Sequence, residues 1–323
     1  MSTVSFRSYQ LSMQHRNKLA QRIRDYIDQS QAKNTRRGYK SDWDHFSHWC
    51  EAQSVQNLPC SPETVAYYIS DLAEHGYKVS TLQRRLSSIA IAHKTAGYPS
   101  PTEDTGLRTV WRGIRKEHGT AQQGKKPLLT MDIKNMVHNL ALDTLSGLRD
   151  RALILVGFAG GFRRSELVAL DVADIQFARE GLVILIRRSK TDQTGEGRKV
   201  AIPYGSHLET CPVRALQDWL SASLITDGPL FRKVNKGDWV ESRRLSDKSV
   251  ANIVKRTIKS IGIDPTQYSG HSLRAGFATS SAAAGASERD IMRQTGHRSV
   301  VTVRRYIRDG EMFKANAAAR LGL

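Results

Sequence analysis

Apolar positions along the chain fall into short stripes at helical spacing, separated by capping and turn signals. In "NTRRGYKSDWDHFSHWC", Tyr39, Trp43, Phe46 and Cys50 recur at steps of four, three and four, which predicts an amphipathic helix. "SPETVAYYISDLAEHG" offers Ser61 as N-cap, Pro62 at the first helical position and Gly76 at the close. "STLQRRLSSIAIAHKTAG" repeats the pattern from Ser80 through Leu82, Leu86, Ile89 and His93 to Gly97. A histidine on such a stripe is expected at the edge of a core rather than as a ligand. "PSPTEDTG" reads as a loop and "LRTVWRGIRKEHG" as a further basic helix. Helical signals resume with "LTMDIKNMVHNLAL" and "LRDRALILVGFAGG". One strand signal is convincing: "GLVILIRRSKTDQTGEGRKVAIP" is an apolar run, a polar turn with glycine and a second short apolar run, hence a β-hairpin. From Cys211 onward the pattern is helical again, with Ser246, Ser287 and Ser299 placed to cap successive helices. The fold class expected is mainly α with a small antiparallel β-sheet in the second of two domains.

A length of 323 residues is itself too much for one ordinary core. The boundaries expected are a loose segment 1–14, a helical domain 15–118, a linker 119–129 ("GTAQQGKKPLL") and a second domain 130–323. That linker also reads G-x-x-x-x-G-K-K, a near miss of a phosphate-binding loop. Lys126 replaces the magnesium-binding Ser or Thr, Pro127 follows at once and no strand precedes it, so a nucleotide cofactor is not expected.

The net charge is +18, shared between residues 1–120 (+6) and the remainder (+12). Both halves therefore suit a polyanion, and nucleic acid leads, because Lys and Arg neutralising phosphates supply most non-specific affinity. A basic surface without a special partner is the competing reading. Cys50, Cys60 and Cys211 have no paired spacing, which argues against a disulfide framework or zinc cluster and suits a reducing cytoplasm. The longest apolar run, "ALILVGFAGGF" (Ala152 to Phe162), falls short of the ~20 residues a bilayer span needs and predicts a buried core helix, so no membrane role is expected.

Cutting a phosphodiester requires a nucleophile, a proton donor for the leaving oxygen and stabilisation of developing charge. Arginine offers a planar fork that grips two phosphate oxygens. Candidates lie in "GGFRRSELVAL" (Arg163), at the hairpin tip "RRSKTDQTG" (Lys190), in "SGHSLRAG" (His271 and Arg274, one turn apart), in "QTGHRS" (His297) and in "VRRYIRD" (Tyr306). Each alone is a weak signal. In this order the set resembles the tyrosine recombinase (phage integrase) family over roughly residues 20–323, and the layout is similar to that of the Cre recombinase group. "GGFRRSELVAL" resembles its first-arginine box, "GHSLRAGFAT" its H-x-x-R box and "TGHRSVVTVRRYI" its nucleophile box.

The resemblance implies a two-domain, C-shaped DNA clamp that cuts and rejoins two DNA sites. Tyr306 would attack the scissile phosphate, leaving a 3′-phosphotyrosine and a free 5′-hydroxyl. Arg163 and Arg274 would hold the non-bridging oxygens, and Lys190 would protonate the departing oxygen. His271 would help deprotonate the tyrosine or hold the phosphate, His297 would add a hydrogen bond, and Glu166 would orient the basic groups. Members nearest Cre carry tryptophan where this chain has His297. Neither metal nor ATP is expected: no clustered carboxylates are apparent, and His271 and His297 lack zinc-like spacing. Double-stranded DNA with an inverted-repeat site is the partner implied, bound by a homotetramer that exchanges a C-terminal helix at about 311–323 carrying Met312, Phe313, Ala317 and Leu321. Arg36, Arg37, Lys40, Arg84, Arg85 and Lys248 are placed like groove or backbone contacts. Two other readings stay open: type IB topoisomerase chemistry, and a DNA-binding protein that keeps the fold without the reaction.

Overall fold

The computed structural model describes residues 33–119, 124–189 and 196–311, with Lys18, Gln21, Arg22 and Leu321. The segment 1–14, Lys190 and most of the C-terminal exchange segment lie outside the described residues. Two compact units divide between Gln123 and Gly124.

The first unit is helical: α1 (Lys33–Ala52), α2 (Pro62–Glu74), α3 (Val79–Thr95) and α4 (Thr105–His118). The stripe on α1 delivers Phe46 and Cys50 to the core, with Trp43 packed beside them. Ser61 caps α2, its hydroxyl accepting from the Thr64 amide at 3.1 Å. α3 begins at Val79 with Lys78 in the capping position, so the cap expected at Ser80 is displaced. His93 goes beyond the core edge and is fully buried. Its Nδ1 donates to the Ile89 carbonyl at 2.9 Å, while Nε2 accepts the Cys60 amide at 3.0 Å. Both ring nitrogens are thus used by the backbone, which fits a structural role.

The second unit follows the order α5 (Thr130–His138), α6 (Leu145–Ala159), α7 (Arg164–Ala169), β1 (Ile175–Ala178), β2 (Gly181–Ile186), β3 (Arg198–Pro203), α8 (Pro212–Ser223), β4 (Arg232–Val234), β5 (Val240–Arg244), α9 (Asp247–Ser260), α10 (His271–Ala283), α11 (Glu288–Thr295) and α12 (Val300–Glu311). α6 holds the apolar run, and its residues 151–157 are buried, as its composition predicts. β2 and β3 form the expected antiparallel hairpin in the register Ile184↔Val200, and β1 adds a third strand across Ile175↔Ile184.

Two features depart from expectation. β4 and β5 form a separate antiparallel ribbon that the sequence pattern does not announce. These strands are short and polar, and their turn is organised by the Asn235 side chain, which accepts from the Gly237 and Trp239 amides at 2.9 and 3.0 Å. The second difference lies in the expected linker, whose later half belongs to the second unit. Leu128 is fully buried, and the Lys126 and Leu128 amides donate to the carbonyls of Gln267 and Ser272 at 2.9 and 3.0 Å. The small residues of "SGHSLRAG" explain this approach. A Cβ at Gly276 would stand 1.7 Å from the Leu128 carbonyl oxygen, so α10 can lie against that strand-like segment only with glycine there.

A small cluster finishes the unit. Ala278, Ala282, Ile291 and Val303 are buried together, and Tyr306 and Ile307 pack partly buried against them. This joins α12 to α10 and α11 and fixes where Tyr306 stands. Overpacking of this kind typically costs about 1–3 kcal/mol, more where backbone must move. Gly276→Ala is therefore expected to lower the urea midpoint of the second unit's unfolding, read by circular dichroism, by far more than Ala275→Gly at the neighbouring position.

Candidate active site

The Gly160–Gly161 turn after α6 leads into Arg163, which occupies the capping position of α7. Its amide donates to Glu166 Oε2 at 3.0 Å and its Nη1 to Oε1 at 2.5 Å. Glu166 is buried, at 2% exposure. A second guanidinium reaches the same carboxylate: Arg198 Nη2 lies 3.4 Å from Oε2. One buried anion therefore holds two cations that would otherwise repel each other.

Arg274 completes the group from α10, one turn after His271. It is 2% exposed. Its Nη1 donates to the carbonyls of Gly161 (2.7 Å) and Thr295 (2.5 Å). Its Nη2 is buried with no hydrogen-bond partner among the described residues. A buried donor left unpaired costs about 1–3 kcal/mol, more when charged, so this atom needs an explanation. Burial, and next the field of Arg163, bring its pKa down to about 10. Glu166 offsets this only in part, and an oxyanion at Nη2 would offset it further.

His297 follows the C-terminus of α11 through Gly296, whose φ of +67° and missing Cβ both matter: a Cβ would stand 2.7 Å from Arg198 Nε. Arg198 secures this turn, donating from Nη1 to the Gln294 carbonyl at 2.8 Å and from Nη2 towards that of Thr295 at 3.4 Å. The His297 ring is half-buried, with Nδ1 2.7 Å from Thr295 Oγ1. Burial first, then Arg274, Arg163, Arg198 and His271, push its pKa down to about 3. The Tyr306 ring is 6.0 Å from the His297 ring between centroids, and a tyrosinate there would raise the pKa of Arg274. His271 is solvent-exposed at the start of α10, its amide donating to Ser269 Oγ at 3.2 Å. The structure thus gathers Arg163, Glu166, His271, Arg274, His297 and Tyr306. Sequence reasoning missed Arg198 and Thr295, although both lie in stretches already singled out, the hairpin and "QTGHRS".

The expected DNA contacts separate. Arg37 and Lys40 are exposed on α1, and Arg36 is half-exposed beside them. Arg84 on α3 is exposed but braced by an ion pair with buried Asp42 at 3.0 Å. Lys248 is exposed in the first turn of α9. Arg85 is a correction. It is 7% exposed, donates to Tyr68 Oη at 3.2 Å and lies 4.7 Å from the Tyr77 ring centroid. Its position four residues before Ile89 and three after Leu82 turns it inward, so in this structure the side chain packs in the core rather than standing exposed as expected.

Residues 127–311 match the model of the phage integrase family, and residues 20–96 match that of the phage integrase N-terminal SAM-like domain. The chain belongs to the phage integrase family. It is 42% identical over 312 residues to an integrase/recombinase XerD homolog of Selenomonas ruminantium, covering 96% of this chain and 91% of that protein. It is 28% identical over 284 residues to the recombinase Cre of Escherichia phage P1, covering 82% and 80%. It is accordingly a site-specific tyrosine recombinase, an enzyme that cleaves and rejoins DNA. The fold is shared with the XerH recombinase (TM-score 0.62, 18% identity, 82% of this chain and 74% of that one). It is shared also with the integrase of the transposon Tn1549 (TM-score 0.62, 18% identity, 94% and 98%). Among the described residues, no group of three or more His, Cys, Asp or Glu side chains is placed to hold a metal ion, and no helix is long and apolar enough to cross a membrane.

Two measurements check this geometry. Unfolded, His297 takes up a proton near pH 6.5; folded, it does so only near 3. Between those values the unfolded chain binds more protons, so the folded state loses stability as pH falls below about 6.5. The urea midpoint is expected to drop between pH 7 and pH 5, and less so in His297→Asn. In the first unit, Arg85→Ala is expected to lower thermal stability. Arg37→Ala should leave it unchanged and reduce the salt dependence of DNA binding by about one counterion, read as the slope of log K against log salt.

Proposed function

We propose that the gathered side chains carry out recombination through a covalent tyrosine intermediate. The observation that carries this is Arg274 Nη2, buried and unpartnered among the described residues, beside Arg163 and with Tyr306 in its field. A scissile phosphate would satisfy that donor. Arg163 and Arg274 then take its non-bridging oxygens in charge-assisted hydrogen bonds. The Tyr306 oxygen attacks phosphorus, forming a 3′-phosphotyrosine and releasing a 5′-hydroxyl whose proton comes from Lys190. Glu166 holds Arg163 in place through two contacts. The imidazoles of His271 and His297 flank the group. The phosphotyrosine conserves the linkage for rejoining, so the reaction needs neither a metal nor ATP.

In the same reading, residues 15–118 form a DNA-binding domain and 124–323 the catalytic domain. Exposed Arg36, Arg37, Lys40, Arg84 and Lys248 contact the duplex. The site is an inverted repeat, in keeping with the palindromic substrate bound to XerH in its structure. A homotetramer assembles on two duplexes by exchange of the segment at about 311–323, and the protein resides with DNA in the cytoplasm.

The test is covalent trapping. The protein is mixed with DNA from its own genomic neighbourhood in excess chelator and quenched in detergent, and the attached DNA is sequenced. Adducts at a short inverted repeat are expected, and Tyr306→Phe should keep the binding footprint and lose every adduct. Adducts scattered without a repeat would indicate topoisomerase chemistry instead. A footprint without adducts would indicate a binding protein that has lost the reaction.

A further inference from the structure

Two arginines can grip one phosphate only if their forks stand at the right separation, because each charge-assisted contact has a fixed geometry. In the reading above, Arg163 and Arg274 share that task from different parts of the chain. Arg163 is fastened to the buried carboxylate of Glu166, its Nη1 donating to Oε1 at 2.5 Å. Arg274 is fastened to the carbonyls of Gly161 and Thr295 at 2.7 and 2.5 Å. Something has to relate one fastening to the other.

Arg198 reaches both. Its Nη2 stands 3.4 Å from Glu166 Oε2 and 3.4 Å from the Thr295 carbonyl, and its Nη1 donates to the Gln294 carbonyl at 2.8 Å. One guanidinium therefore spans the distance from the carboxylate that sets Arg163 to the turn that sets Arg274. Its own place is fixed from several sides. Arg198 pairs with Ile186 at the end of the β2–β3 ladder. Its guanidinium carbon lies 6.0 Å from the ring centroid of Phe162, the buried neighbour of Arg163. Its Nε is buried without a partner among the described residues and lies against Gly296, where a Cβ would stand 2.7 Å away. All three nitrogens face protein, which leaves the phosphate to Arg163 and Arg274.

Electrostatics gives no reason to keep a cation there. Burial first lowers the pKa of Arg198; Glu166 raises it and Arg163 lowers it again, while Arg198 in turn lowers that of Arg274. A third like charge strains the cluster, and a buried ionic contact is weak evidence of stabilisation. What the guanidinium adds is shape: a planar fork that reaches acceptors in two directions, which an ammonium or an apolar side chain lacks.

We infer that Arg198 is a positioning residue that sets the spacing of the two phosphate-binding arginines, holding Arg163 through Glu166 and Arg274 through the Thr295 carbonyl. The inference rests on the catalytic reading above and deepens it. β3 thereby becomes part of the phosphate clamp, although Arg198 itself touches no phosphate.

The test compares two substrates with one preparation of protein. DNA captured by trapping is made with an ordinary scissile phosphate and with a methylphosphonate, in which a methyl group replaces one non-bridging oxygen and removes the charge. Single-turnover adduct formation is measured on both. Arg198→Gln should be at least about tenfold slower on phosphate, since losing one well-placed donor to an oxyanion costs on the order of 10²–10³-fold. On methylphosphonate its deficit should be much smaller, because the clamp has less to hold. A loss of folded protein scales both rates alike, so equal deficits on the two substrates, or no deficit, would overturn the inference. Arg198→Lys keeps the charge without the fork and should behave like Arg198→Gln; wild-type rates in it would overturn the geometric role. On top of Arg274→Lys, loss of Arg198 should cost less than it does alone. An undiminished additional cost would mark a contribution independent of the clamp and count against the inference as well. Given wild-type adducts, these results judge Arg198 alone. A wild-type chain that forms no adduct on any DNA overturns the catalytic reading, and this role with it.

Discussion

The buried guanidinium of Arg274 is the interaction around which the catalytic unit is arranged. Its Nη1 ties two chain segments together, the Gly161 turn after α6 and the last carbonyl of α11. Those segments carry Arg163 and His297 onward from the same points. The α10 backbone can bring Arg274 so deep because Gly276 lets Leu128 run against it. Few native cores keep a cation with an unpaired donor inside them, since the group must be stripped of water without full compensation. The arrangement makes sense when a phosphate completes it. Arg274 Nη2 and Arg198 Nε are buried guanidinium donors without partners among the described residues of this unit, and the proposed phosphate would complete the first.

Charge balance follows from the same arrangement. Arg163, Arg198 and Arg274 converge while Glu166 is the one carboxylate that two of them contact directly. That leaves an excess of positive potential in a partly water-excluded pocket, where electrostatic interactions are stronger than in bulk. Burial first, and then this potential, keep His297 neutral and lower the proton affinity of Arg274 itself. Binding and chemistry are therefore not separable here. In the proposed reading, a bound phosphate would relieve this repulsion.

Much of this could be read before folding was considered, and what could not has physical reasons. Ser61, Ser246 and Ser287 announce their helices because capping is local: each hydroxyl accepts from an amide within its own first turn. The β2–β3 hairpin is legible because its apolar runs pair directly. The β4–β5 ribbon is silent because a side-chain-organised turn holds it without an apolar alternation. Arg84 and Arg85 look alike in a string, but one residue along a helix is a turn of about 100°. One therefore faces solvent and the other the aromatic core. The motif positions around Arg163, His271, Arg274, His297 and Tyr306 can be picked out as an ordered set. The supporting side chains cannot, because Arg198 and Thr295 act through carbonyls and hydroxyls that only the closed fold brings within reach.

The most direct check on the central claim is to identify the atom that holds the DNA. Trapped adduct would be digested with trypsin and nuclease and the modified peptide sequenced by mass spectrometry. A nucleotide phosphate on Tyr306, within the peptide Tyr306–Arg308, is the result this account predicts. Attachment at any other side chain would contradict it, because the arginine clamp would then be serving a different nucleophile.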